Sequence, residues 1–174
     1  MLRTTSFIKI WLLVAALFFF NGAFSQEKGT AGHPKNVVLL IGDGMGLAQV
    51  YAAQTASTEQ LNILKAKHMG MMTTYSANND VTDSGAGGTA IATGFKTKNG
   101  MIGMKPDSTA VPSMLDIFGN LGLSTGVVVS CAVTHATPAS FVAKDISRNN
   151  FEAIALDYLD SPVNVVVGGG LKHF

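Results

Sequence analysis

Val81-Thr82-Asp83-Ser84-Gly85-Ala86-Gly87-Gly88-Thr89-Ala90-Ile91-Ala92-Thr93-Gly94 decides how the chain is read. It sets a serine beside an acid, then opens a run of small residues that can lie very close to a ligand. Residues 70–75, just before it, read as a short strand. After Ser84, Ala, Thr and Ile at close spacing predict a helix, with Gly94 as its C-cap. Ser84 then stands at a helix N-terminus, where unpaired N–H groups and the macrodipole favour an anion. A serine oxygen there can be held as an alkoxide or can carry a phosphoryl group. On local pattern alone, an N-cap role for Asp83 or Ser84 is the commoner explanation. Two familiar motifs are excluded. The nucleophile elbow needs Gly two residues before and after the serine, and here Thr82 and Ala86 stand there. A P-loop needs four residues between its glycines and then Gly-Lys; five residues separate Gly88 from Gly94, and Phe95 precedes Lys96.

Outward from this stretch, apolar runs alternate with helix-forming segments. Asn36-Val37-Val38-Leu39-Leu40-Ile41 is continuous and apolar, as expected of a strand buried on both faces of a parallel sheet. Gly42-Asp43-Gly44-Met45-Gly46 makes a turn, and residues 47–57 predict a helix. Residues 96–105 form a Gly-rich loop or hairpin with Asn99-Gly100 at its tip. Pro112 begins a helix through Leu121, ended by Gly122, and residues 126–130 are a third buried strand. Helical material at 138–143 and 150–159 leads to a fourth strand at 163–167. This order predicts an α/β domain, a mostly parallel sheet flanked by helices on both faces.

The chain has 174 residues, 47% hydrophobic and 13% charged, which suits one domain with a well-buried core. A net charge of +1, with no basic run interleaved with aromatics, argues against nucleic acid as a specific partner. The single cysteine, Cys131, excludes an intrachain disulfide and reads as a small buried hydrophobe. Residues 1–25 read as a secretory signal peptide: Arg3 and Lys9 are its positive region, residues 10–20 its apolar core, and Ala23-Phe24-Ser25 its cleavage site. The apolar run is shorter than the about 20 residues of a membrane span, so no stable membrane anchor is expected. Residues 26–174 form the domain. Removing Arg3 and Lys9 leaves 10 basic against 11 acidic side chains. Export without disulfides suggests a bacterial envelope, and the expected location is secreted or periplasmic.

In such a sheet, ligands bind beyond the carboxyl ends of the strands. Asp43 after the first strand, Ser84 after the second, and His135 with Thr137 after the third all fall there. A dinucleotide loop at Asp43 fails at its third glycine, where Leu47 stands. The Asp43 carboxylate suits a hard cation, although turn aspartates are common. His135 and Thr137, two apart in extended chain, point the same way and can share one metal. A surface histidine beside an ordinary turn explains them equally well. Arg148 offers a fork suited to bidentate phosphate binding, while an isolated arginine is more often simply solvated.

Taken together, the chain resembles the alkaline phosphatase family. The resemblance is carried by residues 36–46, by Val81 to Gly94, by Lys96-Thr97-Lys98-Asn99-Gly100, by Thr134-His135-Ala136-Thr137-Pro138, and by Val165-Val166-Val167-Gly168-Gly169-Gly170. From the first to the last, these blocks span nearly all of the mature chain, in the family's order and spacing. The resemblance implies an alkaline phosphatase-like fold, incomplete at the C-terminus, that hydrolyses small phosphate monoesters through a phosphoserine intermediate. It implies Ser84 as nucleophile and zinc contact, and Asp83 as the residue orienting Arg148 and the serine loop. Arg148 becomes the clamp on phosphate oxygens, Asp43 a carboxylate bridging zinc and magnesium sites, and His135 and Thr137 ligands of the magnesium site. Two zinc ions and one magnesium ion are implied, the third site being open to zinc because histidine is the softer ligand. Two zincs about 4 Å apart would stabilise attacking and leaving oxygens in line. The absence of a histidine base near Ser84 fits activation by metal. A homodimer is also open.

Rival readings are a phosphodiesterase or sulfatase of the same superfamily, and a non-catalytic, metal-binding remnant or fragment of the fold. Asp83-Ser84 argues against a sulfatase, whose nucleophile sits in a Cys/Ser-x-Pro-x-Arg context. Of the four histidines only His135 stands at a strand end, whereas a catalytic zinc needs about three protein ligands. The chain is therefore expected to be the N-terminal portion of a longer enzyme. Residues 26–174 alone are expected to be inactive.

Overall fold

A computed structural model describes residues 34–174. The proposed signal peptide lies outside the described residues. The chain divides into two units, one ending at Leu40 and one running from Ile41 to Phe174.

In the first unit, the described residues 34–40 form neither helix nor strand. Val37, Val38 and Leu40 are 79%, 81% and 88% exposed. The strand expected over residues 36–41 is thus not formed. Apolar β-branched composition favours a pleated surface, but a strand exists only within a ladder. No ladder partner is present for this run among the described residues.

In the second unit, helix α1 spans Leu47–Ala56, followed by a 3-10 turn at Asn62–Lys65. The strand expected over residues 70–75 is also absent, and Met71 and Met72 stand in solvent. Helix α2, Ser84–Thr93, forms as expected. Asp83 is its N-cap, and Gly94, at φ 79°, closes it with its N–H donating to Ala90 O. Residues 96–105 make a loop without a hairpin. It is tied across the molecule by an isolated antiparallel bridge between Ile102 and Asp145. Helix α3 is Met114–Asn120, two residues inside the expected start at Pro112, because Ser113 and Asp116 close a capping box there.

Strand β1, Gly126–Ala132, pairs in parallel with β2, Val165–Gly169, in the register Gly126↔Val165 to Val128↔Val167. Helices α4, Ala136–Ala139, and α5, Phe151–Asp160, lie in the crossover between them. The protein is therefore α/β with a parallel sheet, as expected. Alternation along β1 turns Val127 and Val129 toward the core and leaves Val128 73% exposed. Neither strand is buried on both faces within the described residues, and β2 is exposed along its length.

The core joins Val127 and Val133 to Ala136, Ala139, Phe141 and Val142, to Ile154 and Tyr158 of α5, and to Ile102 and Ala92. Tyr158 donates its hydroxyl to Val133 O at 2.7 Å, and burial drives its phenol pKa well above the ordinary value of 10.0. Cys131 is half-buried rather than fully enclosed. No helix among the described residues is long and apolar enough to cross a membrane.

Candidate active site

The site begins with helix α2. Asp83 caps it by accepting the Ala86 N–H on Oδ1 at 2.8 Å, which leaves Ser84 as the first helical residue. The cap role thus falls to Asp83, and the Ser84 side chain takes no part in capping. Gly85, Ala86, Gly88, Thr89 and Ala92 are buried, so the helix is held along one face by small residues. Thr89, fully enclosed, accepts the Gly103 N–H at 2.9 Å.

Arg148 reaches this N-terminus from 64 residues away. Its Nη1 donates to Ser84 Oγ at 3.0 Å and to Asp83 Oδ2 at 3.1 Å. The ion pair is partly open, with 33% of the arginine and 25% of the aspartate side chain exposed. Its Coulombic contribution is screened accordingly, and geometry rather than ion-pair energy is its main content. Among the described residues no other guanidinium nitrogen of Arg148 makes a hydrogen bond, so the remaining donors of the fork are open to a ligand. The Arg148 backbone is fixed as well, its N–H donating to Gly100 O at 2.7 Å.

Asp43 lies in the Gly42–Gly44 turn, exposed, and accepts the Thr137 hydroxyl on Oδ2 at 2.7 Å. Thr137 belongs to α4, while His135 just before it keeps an extended backbone at φ −65° and ψ 155°. His135 is the N-cap and Thr137 lies within the helix, so the extended chain expected through both residues stops at His135. The His135 ring is exposed and faces Phe151, centroids 6.1 Å apart. The structure thus brings Asp43 to Thr137 and Arg148 to Asp83 and Ser84, while His135 makes no side-chain hydrogen bond among the described residues. The two groups are linked by packing of α2 on α4. A Cβ on Gly88 would come 2.8 Å from Ser140 Oγ and 3.4 Å from Thr137 Cα, so only glycine permits this approach.

Two residues that sequence reasoning did not place here are Asn99 and Gly100. Gly100 N–H donates to Asp83 Oδ2 at 2.9 Å, and Asn99 Oδ1 accepts the Asp83 N–H at 3.1 Å. Their sequence signals are the Asn-Gly turn and the Lys96–Gly100 block of the family resemblance, neither of which assigned them a role at the site. The other histidines lie elsewhere: His33 is outside the described residues, His68 is exposed, and His173 pairs with Glu152 at 3.1 Å. That hydrogen bond from His173 holds the Glu152 carboxyl below its ordinary pKa.

Adjacent carboxylate and hydroxyl oxygens of Asp43 and Thr137 are hard donors and fit part of a divalent cation's shell. Among the described residues no group of three or more His, Cys, Asp and Glu converges on one point.

Residues 34–174 match the family description Alkaline phosphatase. Alkaline phosphatase 3 of Bacillus subtilis is 37% identical over 166 residues, covering 87% of this chain and 36% of the relative. The Escherichia coli alkaline phosphatase is 33% identical over 169 residues, covering 80% and 36% respectively. Among solved structures, the alkaline phosphatase of the Antarctic bacterium TAB5 superposes with a TM-score of 0.79 at 44% identity, over 81% of this chain and 41% of its own. A histidine-to-aspartate mutant of that enzyme has magnesium bound in its M3 site, with a TM-score of 0.79 at 43% identity over 81% and 41% of the two chains. The chain spans between 36% and 41% of the length of these relatives.

Proposed function

Since the chain belongs to the alkaline phosphatase family, we propose that it carries the nucleophile and the phosphate-binding arginine of a metal-dependent phosphomonoesterase. The observation that supports this most is the Arg148 Nη1 bridge to Ser84 Oγ and Asp83 Oδ2, at 3.0 and 3.1 Å. A cation aimed at a serine oxygen on a helix N-terminus makes a place for a dianionic phosphoryl group beside a nucleophile.

In the proposed reaction Arg148 holds two phosphate oxygens, and Asp83, fixed by its cap bond, keeps the guanidinium aimed. Ser84 Oγ forms a bond to phosphorus as the bond from phosphorus to the ester oxygen breaks, and the alcohol leaves with a proton. Water then attacks the phosphoserine, inorganic phosphate departs, and the Ser84 hydroxyl is restored. Bound zinc and magnesium would supply the positive charge that favours a serine alkoxide and a departing alkoxide at moderate pH. Asp43 and Ser84 would serve the zinc side, and Asp43, Thr137 and His135 the third site. Further ligands for two zinc ions would come from outside the described residues. The Antarctic enzyme's histidine-to-aspartate mutant with magnesium bound in its M3 site supports His135 as a residue of the third site here.

Export is part of the same proposal, with residues 1–25 removed and Gln26 the mature N-terminus. The protein purified as its own cells make it should hydrolyse a chromogenic phosphomonoester. A chelator should stop the reaction, zinc and magnesium should restore it, and Ser84→Ala should remove it. Undiminished turnover by Ser84→Ala would reject the assignment.

A further inference from the structure

We infer that Asn99, together with Gly100, is the positioning residue that sets where Ser84 and Arg148 stand relative to each other. The inference rests on the phosphate-handling roles proposed above for that pair. Asn99 touches neither side chain, and it acts through Asp83.

The Asn99 amide uses both ends on the segment leading to the nucleophile. Its Nδ2 donates to Val81 O at 2.9 Å, and its Oδ1 accepts the Asp83 N–H at 3.1 Å. A donor and an acceptor this close together, on a side chain this short, are the property of asparagine. An ionised aspartate has acceptors only, and would set an oxygen against the Val81 carbonyl. The turn is itself held from behind, the Asn99 N–H donating to Asn78 Oδ1 at 2.9 Å. Gly100 completes the device. Its N–H donates to Asp83 Oδ2 at 2.9 Å, the same oxygen that receives Arg148 Nη1, and its carbonyl accepts the Arg148 N–H at 2.7 Å. Gly100 has φ 90°, a conformation that a side chain would strain.

One two-residue turn therefore clamps the main chain of the nucleophile segment, one oxygen of the residue that aims the arginine, and the main chain of the arginine itself. The turn lies 16 residues from Asp83 in sequence, and Asp83 lies 65 residues from Arg148. Loosening the turn changes the spacing between Ser84 Oγ and the guanidinium without removing either.

The test uses the protein from its own host and its Asn99→Ala, Asn99→Asp and Arg148→Ala variants, with the Asn99→Ala/Arg148→Ala double variant and inorganic phosphate as probe. Asn99→Ala should weaken phosphate binding by roughly tenfold, the worth of an ordinary hydrogen bond. Asn99→Asp should fail to restore it. In the Arg148→Ala background the Asn99 change should cost almost nothing more, because a residue acting through the arginine has nothing left to position. Additive losses in that cycle would overturn the inference in favour of a general structural role. Amide hydrogen exchange provides a second, activity-free reading. Exchange at Gly100 and Arg148 should quicken in Asn99→Ala while that at core Ile154 stays unchanged. If the unmodified protein binds no phosphate, the assignment of Ser84 and Arg148 fails. Asn99 is then judged by exchange alone, with unchanged exchange at Gly100 and Arg148 counting against it.

Discussion

Arg148 is where residue-scale chemistry concentrates, because one guanidinium nitrogen serves Ser84 and Asp83 while the rest of the fork has no hydrogen bond among the described residues. Arg148→Ala should weaken phosphate inhibition by about 1.5–3 kcal/mol, the range for hydrogen bonds to charged groups. Arg148→Lys should recover little, since an ammonium cannot reproduce the fork. Inhibition constants for inorganic phosphate check both. If His135 serves the proposed third site, His135→Asp should shift that site from zinc toward magnesium, because a carboxylate oxygen is harder than an imidazole nitrogen. Metal content after equilibration with both ions measures this. Asp83 and Ser84 were legible in the sequence because capping is a local rule: acid, serine, then small helix formers. Arg148 was not legible from spacing, and an isolated arginine carries no pattern; its role came only through family resemblance. Asn99 was missed for a related reason. Its partners are 16 and 18 residues away, and hydrogen bonding across a loop leaves no periodicity.

At the scale of elements, the helices were readable and the strands only in part. Helix α2 and its Gly94 cap follow from local chemistry alone, whereas residues 36–41 and 70–75 have strand-like composition without a ladder to join among the described residues. Composition favours a strand, and only a neighbour makes one. The i, i+2 argument for His135 and Thr137 assumed extended chain through both, whereas β1 ends at Ala132 and Thr137 already lies in α4. Contact between α2 and α4 gives a sharp test with an internal control. Gly88→Ala drives a methyl group within 2.8 Å of Ser140 Oγ and should destabilise by about 1–3 kcal/mol. Gly87→Ala meets only Thr82 at 3.6 Å, an ordinary contact, and should stabilise the helix by roughly 0.5–1 kcal/mol. Urea denaturation of the two variants should move in opposite directions.

For the whole molecule, pH acts on stability through Tyr158 as well as on chemistry at the site. Burial raises the phenol's folded-state pKa, so the folded protein favours the neutral ring. That stabilisation is complete below the unfolded value of 10.0 and is lost as pH climbs above it toward the folded value. Tyr158→Phe should therefore flatten the alkaline fall in denaturation midpoint. At neutral pH it should cost about 0.5–1.5 kcal/mol for the bond to Val133 O. The fold class was legible because β1, the crossover helices and β2 follow one another in sequence. The exposed second face of the sheet was not, since apolar runs do not say what covers them. The central claim, that Ser84 is the nucleophile held by Arg148, is tested most directly by trapping its intermediate. The protein purified from its own cells is incubated with a phosphomonoester and quenched in acid, and its peptides are mapped by mass spectrometry. The account predicts one phosphate on Ser84, absent after chelation of metals and absent in Ser84→Ala. Phosphate on another residue, or turnover with Ser84 unmodified under every quench, would contradict it.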